Sequence, residues 1–223
     1  MTRLITIWAA LLIGAVAFGA PASAQPARSC ADLGGSVESG QTCHISSESQ
    51  TYTINISFPL DYPDQQALTD YLVTNKHDFI AFAGSIPPRD HPYHRGITPH
   101  SYASGSTASI VLEVYGDTGA HPVTSFHAFN YDLTTQTSIT FDTLFKPGAV
   151  DVLDPIVQRE MEKRWVGYRD PTPHNTMGAK VYQDFALTDD AVLLFIGQGM
   201  WLPEVAGPQM VSISRAQLAS ILA

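Results

Sequence analysis

Residues 117–145, DTGAHPVTSFHAFNYDLTTQTSITFDTLF, decide the fold because they combine two turns with two runs of strand-forming residues. In the first turn, Gly119 can adopt a positive φ and Pro122 fixes the direction in which the chain leaves. The run over 123–133 then has apolar side chains on both faces, which indicates a strand in the centre of a sheet. With the run ASIVLEVYG just before it, the stretch predicts antiparallel hairpins.

The other periodicities add two helices and further strands to these hairpins. TYTINISF at 51–58 alternates apolar and polar residues, as a half-buried strand does. Near-helical spacing predicts a helix over about 63–83, and Asp154 and Pro155 suit the N-cap and first residue of a second helix. A late strand pair and a final helix complete an α+β fold, with a mainly antiparallel sheet, two main helices packed on it and a short C-terminal helix.

Residues 1–24 have the pattern of a signal peptide. Arg3 precedes an apolar run over 4–18, and Ala-Ser-Ala at 22–24 is a small-residue cleavage site. No later apolar run approaches the roughly 20 residues of a membrane span, so we expect no transmembrane segment after cleavage. We therefore predict a single secreted α+β domain over 25–223, located outside the cell or at the cell envelope.

The charge balance narrows the class of partner. The chain has 12 Lys and Arg against 21 Asp and Glu, which gives a formal net charge of −9. This excess of negative charge argues against nucleic acid as a partner and against electrostatic docking on anionic lipid, and it favours solubility. We expect a monomer whose partner is an unidentified protein, lipid or cell-wall ligand.

Cys30 and Cys43 are the two cysteines of the chain. In an oxidising compartment they are expected to form a disulfide that closes a short loop, the alternative being two free thiols. Without a matching histidine pattern they are a poor zinc site. The sequence HPYHRGITPH at 91–100 contains three histidines, but its prolines and arginine favour an exposed polar loop over a metal site. We expect no metal and no cofactor.

The familiar hydrolase motifs are missing from the sequence. No Gly-x-Ser-x-Gly nucleophile elbow occurs, so an esterase would need a non-standard Ser/His/Asp site assembled in space. Ser125 shares a strand face with His127, although an i, i+2 pair is not by itself a catalytic arrangement. The candidates for such a site are Ser125, Ser106, His121, His127, Asp132 and Asp142.

Two local features leave a structural and a functional interpretation open. His121 either fixes the shape of its turn by hydrogen bonding a carbonyl, or acts as a ligand or general base. Met200, Trp201 and Leu202 fall in what should be a loop, where large apolar side chains either fill the core or form a contact surface. The second interpretation makes these three residues candidates for partner binding.

Several segments resemble the secreted immunogenic antigens of mycobacteria, the MPT/MPB type. They are CHISSESQTYTINISFPLDYPDQQALTDYL, GAHPVTSFHAFNYDLTTQTSITFDTLF, IVQRE, YQDFALTDDAVLLFI and LPEVAGPQMVSISRAQL. The part from about 105 to 223 also resembles an extracytoplasmic domain of unknown function, found in the sensor part of the RsiV anti-sigma factor. Its marks are a Gly-x-His turn between two strands and a Tyr-Asp-Leu-x-Thr segment leading to Leu-Phe.

The resemblance implies a secreted α+β protein without a settled activity or an agreed catalytic set. Combined with the missing hydrolase motifs, it favours a binding or interaction protein at the cell envelope or outside the cell. A secreted carboxylesterase is the alternative.

Overall fold

A computed structural model describes residues 29–38, 41–87 and 89–223. The predicted leader at 1–24 lies outside the described residues. Within them the strands are β1 Ser36–Glu38, β2 Thr42–Glu48, β3 Tyr52–Pro59, β4 Tyr93–Ser104, β5 Thr107–Asp117, β6 Pro122–Asp132, β7 Thr137–Ser138, β8 Phe185–Leu187, β9 Ala191–Ile196 and β10 Gln209–Ser214. The α-helices are α1 Gln65–Ser85, α2 Phe141–Leu144, α3 Ala149–Arg164 and α4 Arg215–Leu218.

The strands form two sheets. The first seven pair in chain order, and the last three form a smaller sheet in the order β10-β9-β8. All neighbours are antiparallel except β3 and β4, which are parallel because α1 connects them as a crossover. The architecture confirms the predicted α+β class, with α1 and α3 as the two main helices and α4 as the short C-terminal one.

The elements pack in four layers with an apolar cluster between each neighbouring pair. Helix α1 covers one face of the seven-stranded sheet, where Phe58, Leu72 and Leu112 are buried. The smaller sheet lies on the other face, with Val111 and Phe195 at the contact. The third cluster lies between the smaller sheet and α3. The central strand β5 is therefore buried on both faces.

Helix α1 begins close to the predicted position. The side chain of Asp64 caps it by accepting a hydrogen bond from the backbone N–H of Ala67 at 3.2 Å. The helix runs to Ser85, two residues beyond the predicted end. No helix among the described residues combines the length and apolarity needed to cross a bilayer.

Helix α3 begins earlier than predicted, and Pro155 lies inside it rather than at its first position. Ala149, Leu153, Val157 and Met161 are buried at intervals of four residues and form one face of the helix. Burial of this stripe outweighs the roughly 3 kcal/mol that an interior proline costs a helix. The start therefore follows from packing that the local cap signal did not contain.

Strand β6 is not central, which corrects the prediction made from its apolar faces. It pairs with β5 along its length, but with β7 only at Tyr131 and Asp132. Its side chains are apolar on both faces because β6 is packed between α1 and the smaller sheet. The edge of β6 before Tyr131 is therefore free of a neighbouring strand, and the candidate site lies there.

Candidate functional site

Side chains from the C-terminal half occupy the open edge of β6. The Asp184 carboxylate accepts a hydrogen bond from the Ala128 N–H at 2.9 Å. Gln198 forms two hydrogen bonds with the backbone of Thr124. Its side-chain oxygen accepts from the Thr124 N–H at 3.1 Å, and its backbone N–H donates to the Thr124 carbonyl at 2.9 Å. These contacts satisfy strand groups that would otherwise be unpaired at a sheet edge.

His127 projects from β6 toward α1. Its imidazole stacks on the Tyr71 ring with centroids 3.9 Å apart and 3° between the planes. Phe129 meets the same imidazole edge to face at 4.8 Å. Burial among these rings lowers the pKa of His127, because desolvation disfavours the imidazolium. His127 is therefore neutral at pH 7 and can accept a proton.

Asp184 precedes β8 and faces the same region. Burial raises the pKa of its carboxyl group to about 6, and the hydrogen bond from Ala128 opposes that shift only in part. The charge of Asp184 also acts on the Tyr71 hydroxyl, whose pKa it helps to raise. Asp184 is mostly ionised at neutral pH, and it is a stronger base than an ordinary carboxylate.

A cavity of about 280 Å³ lies where these side chains meet. Its walls are formed by His127, Ala128, Asn130, Ile139, Thr140, Phe141, Gln183 and Asp184. The Asn130 amide donates to the Phe185 carbonyl at 2.9 Å, while its own carbonyl oxygen is buried without a hydrogen-bond partner in the described structure. Because this oxygen is buried, a water or ligand reaches it only if the cavity wall moves.

Comparison with known proteins identifies the family. Esterase Rv3036c of Mycobacterium tuberculosis is 41% identical over 216 residues, which cover 94% of this chain and 95% of that protein. Immunogenic protein MPB64 of Mycobacterium bovis and MPT64 of M. tuberculosis are 37% identical over 209 residues, 91% of each chain. The chain belongs to the MPT64 family.

Residues 142–216 match the protein family described as "Protein of unknown function (DUF3298)". The matched stretch is shorter than the 105–223 for which the sequence resemblance was noted. A crystal structure of a DUF3298 family protein from Pseudomonas aeruginosa PAO1 superposes with a TM-score of 0.55 at 16% identity. It covers 82% of this chain and 94% of that chain, and it supports the fold alone.

Within this MPT64-family fold, the six predicted catalytic residues do not converge. Ser106 lies in the turn before β5 and His121 in the turn after it, and an 11-residue strand separates them by about 33 Å. Asp132 lies at the Ser106 end of β6, where the N–H groups of Thr135 and Thr134 bond its carboxylate and lower its pKa. Asp142 lies in the first turn of α2. Of the six, only His127 lines the cavity described above.

Ser125 and His121 lie outside the walls of that cavity. Ser125 is exposed on β6, two residues before His127 and on the same face. The His121 imidazole is half exposed, and its Nε2 lies 3.0 Å from a carboxylate oxygen of Glu204. This contact joins the β5–β6 hairpin to the loop before β10, so His121 has a structural partner. A catalytic role for His121 stays a prediction.

The loop that contains Trp201 fills the core, which corrects the exposure assumed in the contact-surface interpretation. Trp201 and Leu202 are 4% and 3% exposed within the cluster beneath α3, and Met200 packs against them. The Trp201 indole N–H donates to the Pro173 carbonyl at 2.9 Å. Partner binding by these residues stays a prediction, and it would first require the loop to open.

The predicted disulfide is present in the structure. Cys30 and Cys43 are bonded, with their Cα atoms 5.6 Å apart. Gly35 passes so close that a Cβ there would lie 2.7 Å from the Cys43 sulfur, so this position requires glycine. Among the described residues, no group of three or more His, Cys, Asp or Glu side chains is arranged to hold a metal ion.

Sequence patterns do not single out Tyr71, Asn130 or Asp184 as site residues. Tyr71 fits the apolar spacing of α1, so it was interpreted as core. Asp184 directly precedes the buried strand β8, Phe185–Leu187. An acidic residue next to a buried strand is the one sequence feature that could have indicated its role in the site. Only the tertiary fold brings these side chains to His127.

Proposed function

We propose that this MPT64-family protein is a secreted carboxylic ester hydrolase whose active site is the cavity beside His127 and Asp184. One observation carries the proposal: two titratable side chains line the same cavity, and burial alters the pKa of both. Paired groups of this kind are typical of acid–base sites. The name of the relative Esterase Rv3036c, which aligns over 94% of the chain, supports the reaction class.

His127 would act as the general base. Its neutral imidazole removes a proton from water as the water oxygen attacks the ester carbonyl, and the proton then passes to the departing alkoxide. Asp184 contributes a second basic group to the same cavity wall, and its protonation sets the lower end of the active pH range.

We propose direct attack by water because the cavity wall offers no available hydroxyl group as a nucleophile. Among the described residues, Thr140 is the one Ser or Thr that lines the cavity. Its hydroxyl is engaged in the capping box of α2, where it accepts from the Thr143 N–H at 3.3 Å. Ser125 and Ser106, the serines named from sequence, are not part of the wall. The proposed reaction therefore forms no acyl-enzyme on serine.

Hydrolysis of nitrophenyl acetate and butyrate by the purified protein tests this proposal. We expect turnover above background that falls as the pH drops through about 6, where Asp184 takes up a proton. A fluorophosphonate probe should leave the protein unlabelled. Absence of turnover would refute the hydrolase, and labelling abolished by Ser125→Ala would replace water attack with a serine mechanism.

A binding or interaction protein is the second candidate, and another cavity favours it. About 220 Å³ of largely apolar space lies between α1 and the disulfide loop, lined by Leu33, Ile45, Leu72, Val73 and Ile80. Such a concave apolar site suits a lipid chain or an apolar side chain of a partner. Val73→Asp, on the accessible side of α1, should abolish binding of a fluorescent fatty acid. Unchanged binding would reject this cavity as the site.

Secretion completes the proposed function. We propose cleavage after Ala24 and export of residues 25–223 as a monomer, in line with the immunogenic antigens of the family. Mass spectrometry of the protein from culture filtrate should find Gln25 at its N-terminus. An intact leader on cell-bound protein would contradict this.

A further inference from the structure

Arg95 occupies an unusual position between α1 and the seven-stranded sheet. It projects from β4, and its guanidinium lies 5.0 Å from the centre of the Phe79 ring. On the neighbouring strand β5, Gly116 pairs with Arg95 and leaves the space into which the guanidinium extends. A Cβ at Gly116 would lie 3.4 Å from Arg95 Nη1, so a larger residue there would press on the guanidinium.

The Arg95 guanidinium has no hydrogen bond and no carboxylate partner within the described residues. Its Nε is buried and unsatisfied. Two other arginines show the usual arrangement: Arg89 lies 2.8 Å from the Asp117 carboxylate, and Arg215 donates to the Thr188 carbonyl at 2.9 Å. A partly buried arginine stays charged, and leaving it unpaired is costly. The buried Arg95 Nε–H is therefore a donor that an anion could satisfy.

A second unsatisfied group lies near Arg95. The Asn75 amide donates to the Tyr71 hydroxyl at 3.4 Å, and its own carbonyl oxygen is buried without a partner in the described structure. The Arg95 charge reaches the same hydroxyl, since it lowers the pKa of Tyr71 against the larger effect of burial. Arg95 and Asn75, each with an unsatisfied group, thus both act on the Tyr71 hydroxyl, and His127 stacks on the Tyr71 ring.

We propose that Arg95 is a binding residue for a carboxylate on the substrate, so that the preferred esters are half-esters of dicarboxylic acids. The planar guanidinium matches a carboxylate in geometry and charge, and Arg95 is only partly exposed, which strengthens the pairing. Tyr71 links this subsite to the cavity of His127, because His127 stacks on its ring and the Arg95 charge acts on its hydroxyl, so the proposed substrate would lie along this ring. The choice of substrate rests on the proposed hydrolase function, whereas carboxylate binding at Arg95 does not.

Binding is tested first, by proton–nitrogen correlation NMR of isotope-labelled protein. The buried Arg95 Nε–H should give a resolved signal, assigned by its loss in Arg95→Met. Millimolar monomethyl succinate should shift this signal saturably, while dimethyl succinate, which lacks the charge, should not. Equal responses to the two compounds, or no response to either, would overturn the proposal.

Selectivity is tested next, as the ratio of kcat/KM for nitrophenyl hydrogen succinate to that for nitrophenyl acetate. We expect the ratio to fall about 10- to 100-fold in Arg95→Met, the effect of losing a hydrogen bond to a charged group. The methionine preserves packing on Phe79, and equal thermal unfolding verifies its fold. An unchanged ratio would overturn the substrate assignment while the hydrolase stands. If neither ester is turned over, the proposed hydrolase function is refuted. The NMR titration then tests carboxylate binding at Arg95 by itself.

Discussion

The Tyr71 ring lies flat against the imidazole of His127, with centroids 3.9 Å apart and 3° between their planes. The pair joins α1 to the strand β6 at the edge where β6 has no neighbouring strand. It also connects two parts of the proposed site, because the charges of Arg95 and Asp184 both act on the Tyr71 hydroxyl. Helix α1 therefore contributes to the site as well as to the core.

Asp184→Asn should stabilise the protein at neutral pH. Burial raises the carboxyl pKa to about 6 from the ordinary 3.8, so the folded state binds the proton more tightly than the unfolded state does. The stability that protonated Asp184 contributes is complete below about pH 4 and is lost as the pH rises through 6. Above that pH the buried charge costs on the order of 2–3 kcal/mol, which asparagine avoids while still accepting from Ala128.

Urea unfolding near pH 4 and near pH 7.5 measures the effect of Asp184→Asn. The variant should unfold at higher urea than the wild type at the higher pH, and the difference should nearly vanish at the lower one. The comparison with wild type at each pH removes the contribution of other groups, including His127, whose lowered pKa acts in the opposite direction. A difference that does not change with pH would show that Asp184 titrates normally.

Trp201→Ala should destabilise the fold severely. The indole is 4% exposed and bonds the Pro173 carbonyl, so its removal leaves a large cavity and an unpaired carbonyl. We expect a loss of about 3–5 kcal/mol in the free energy of unfolding. Val205→Ala is the matched control, since Val205 lies in the same loop and is 77% exposed. Similar stability of the two variants would mean that the loop is open in solution.

Removal of the disulfide should lower stability without changing the fold. The chain-entropy estimate for the loop closed by Cys30 and Cys43 is about 3 kcal/mol. Cys30→Ser with Cys43→Ser should therefore match the wild type under reducing conditions and should itself be insensitive to reductant. If the wild type gives the same unfolding curve with and without reductant, the presence of the Cys30–Cys43 disulfide would be contradicted.

His121→Ala should have little effect on either stability or ester hydrolysis. The His121–Glu204 contact is about half exposed on both sides, and exposed ion pairs contribute at most about 1 kcal/mol. Glu204→Gln should have the same small effect, because it removes the same contact. A large loss of turnover in folded His121→Ala would move the active site to the β5–β6 hairpin.

Sequence patterns predicted those parts of the fold that local periodicity encodes. The alternation of β3 and β5 and the apolar spacing of α1 each follow from the face that the element buries. The start of α3 and the edge position of β6 depend on which element packs where, and neither is local information. Pro155 gave a cap signal that packing overrode.

The candidate site was harder to predict than the fold. Sequence patterns make His127 a candidate because it shares a strand face with Ser125, but they do not indicate which residues surround it. Its structural neighbours, Tyr71 and Asp184, lie more than fifty residues away on either side. Burial creates their altered pKa values, and burial is a property of the tertiary structure.

The most direct test of the hydrolytic site is the kcat/KM for nitrophenyl butyrate of His127→Phe. Phenylalanine preserves the stacking on Tyr71 and removes both imidazole nitrogens, so thermal unfolding should stay close to that of the wild type. Loss of a general base predicts a decrease of about 10²- to 10⁴-fold at neutral pH. Wild-type turnover in a folded His127→Phe variant would contradict the assignment of the active site to this cavity.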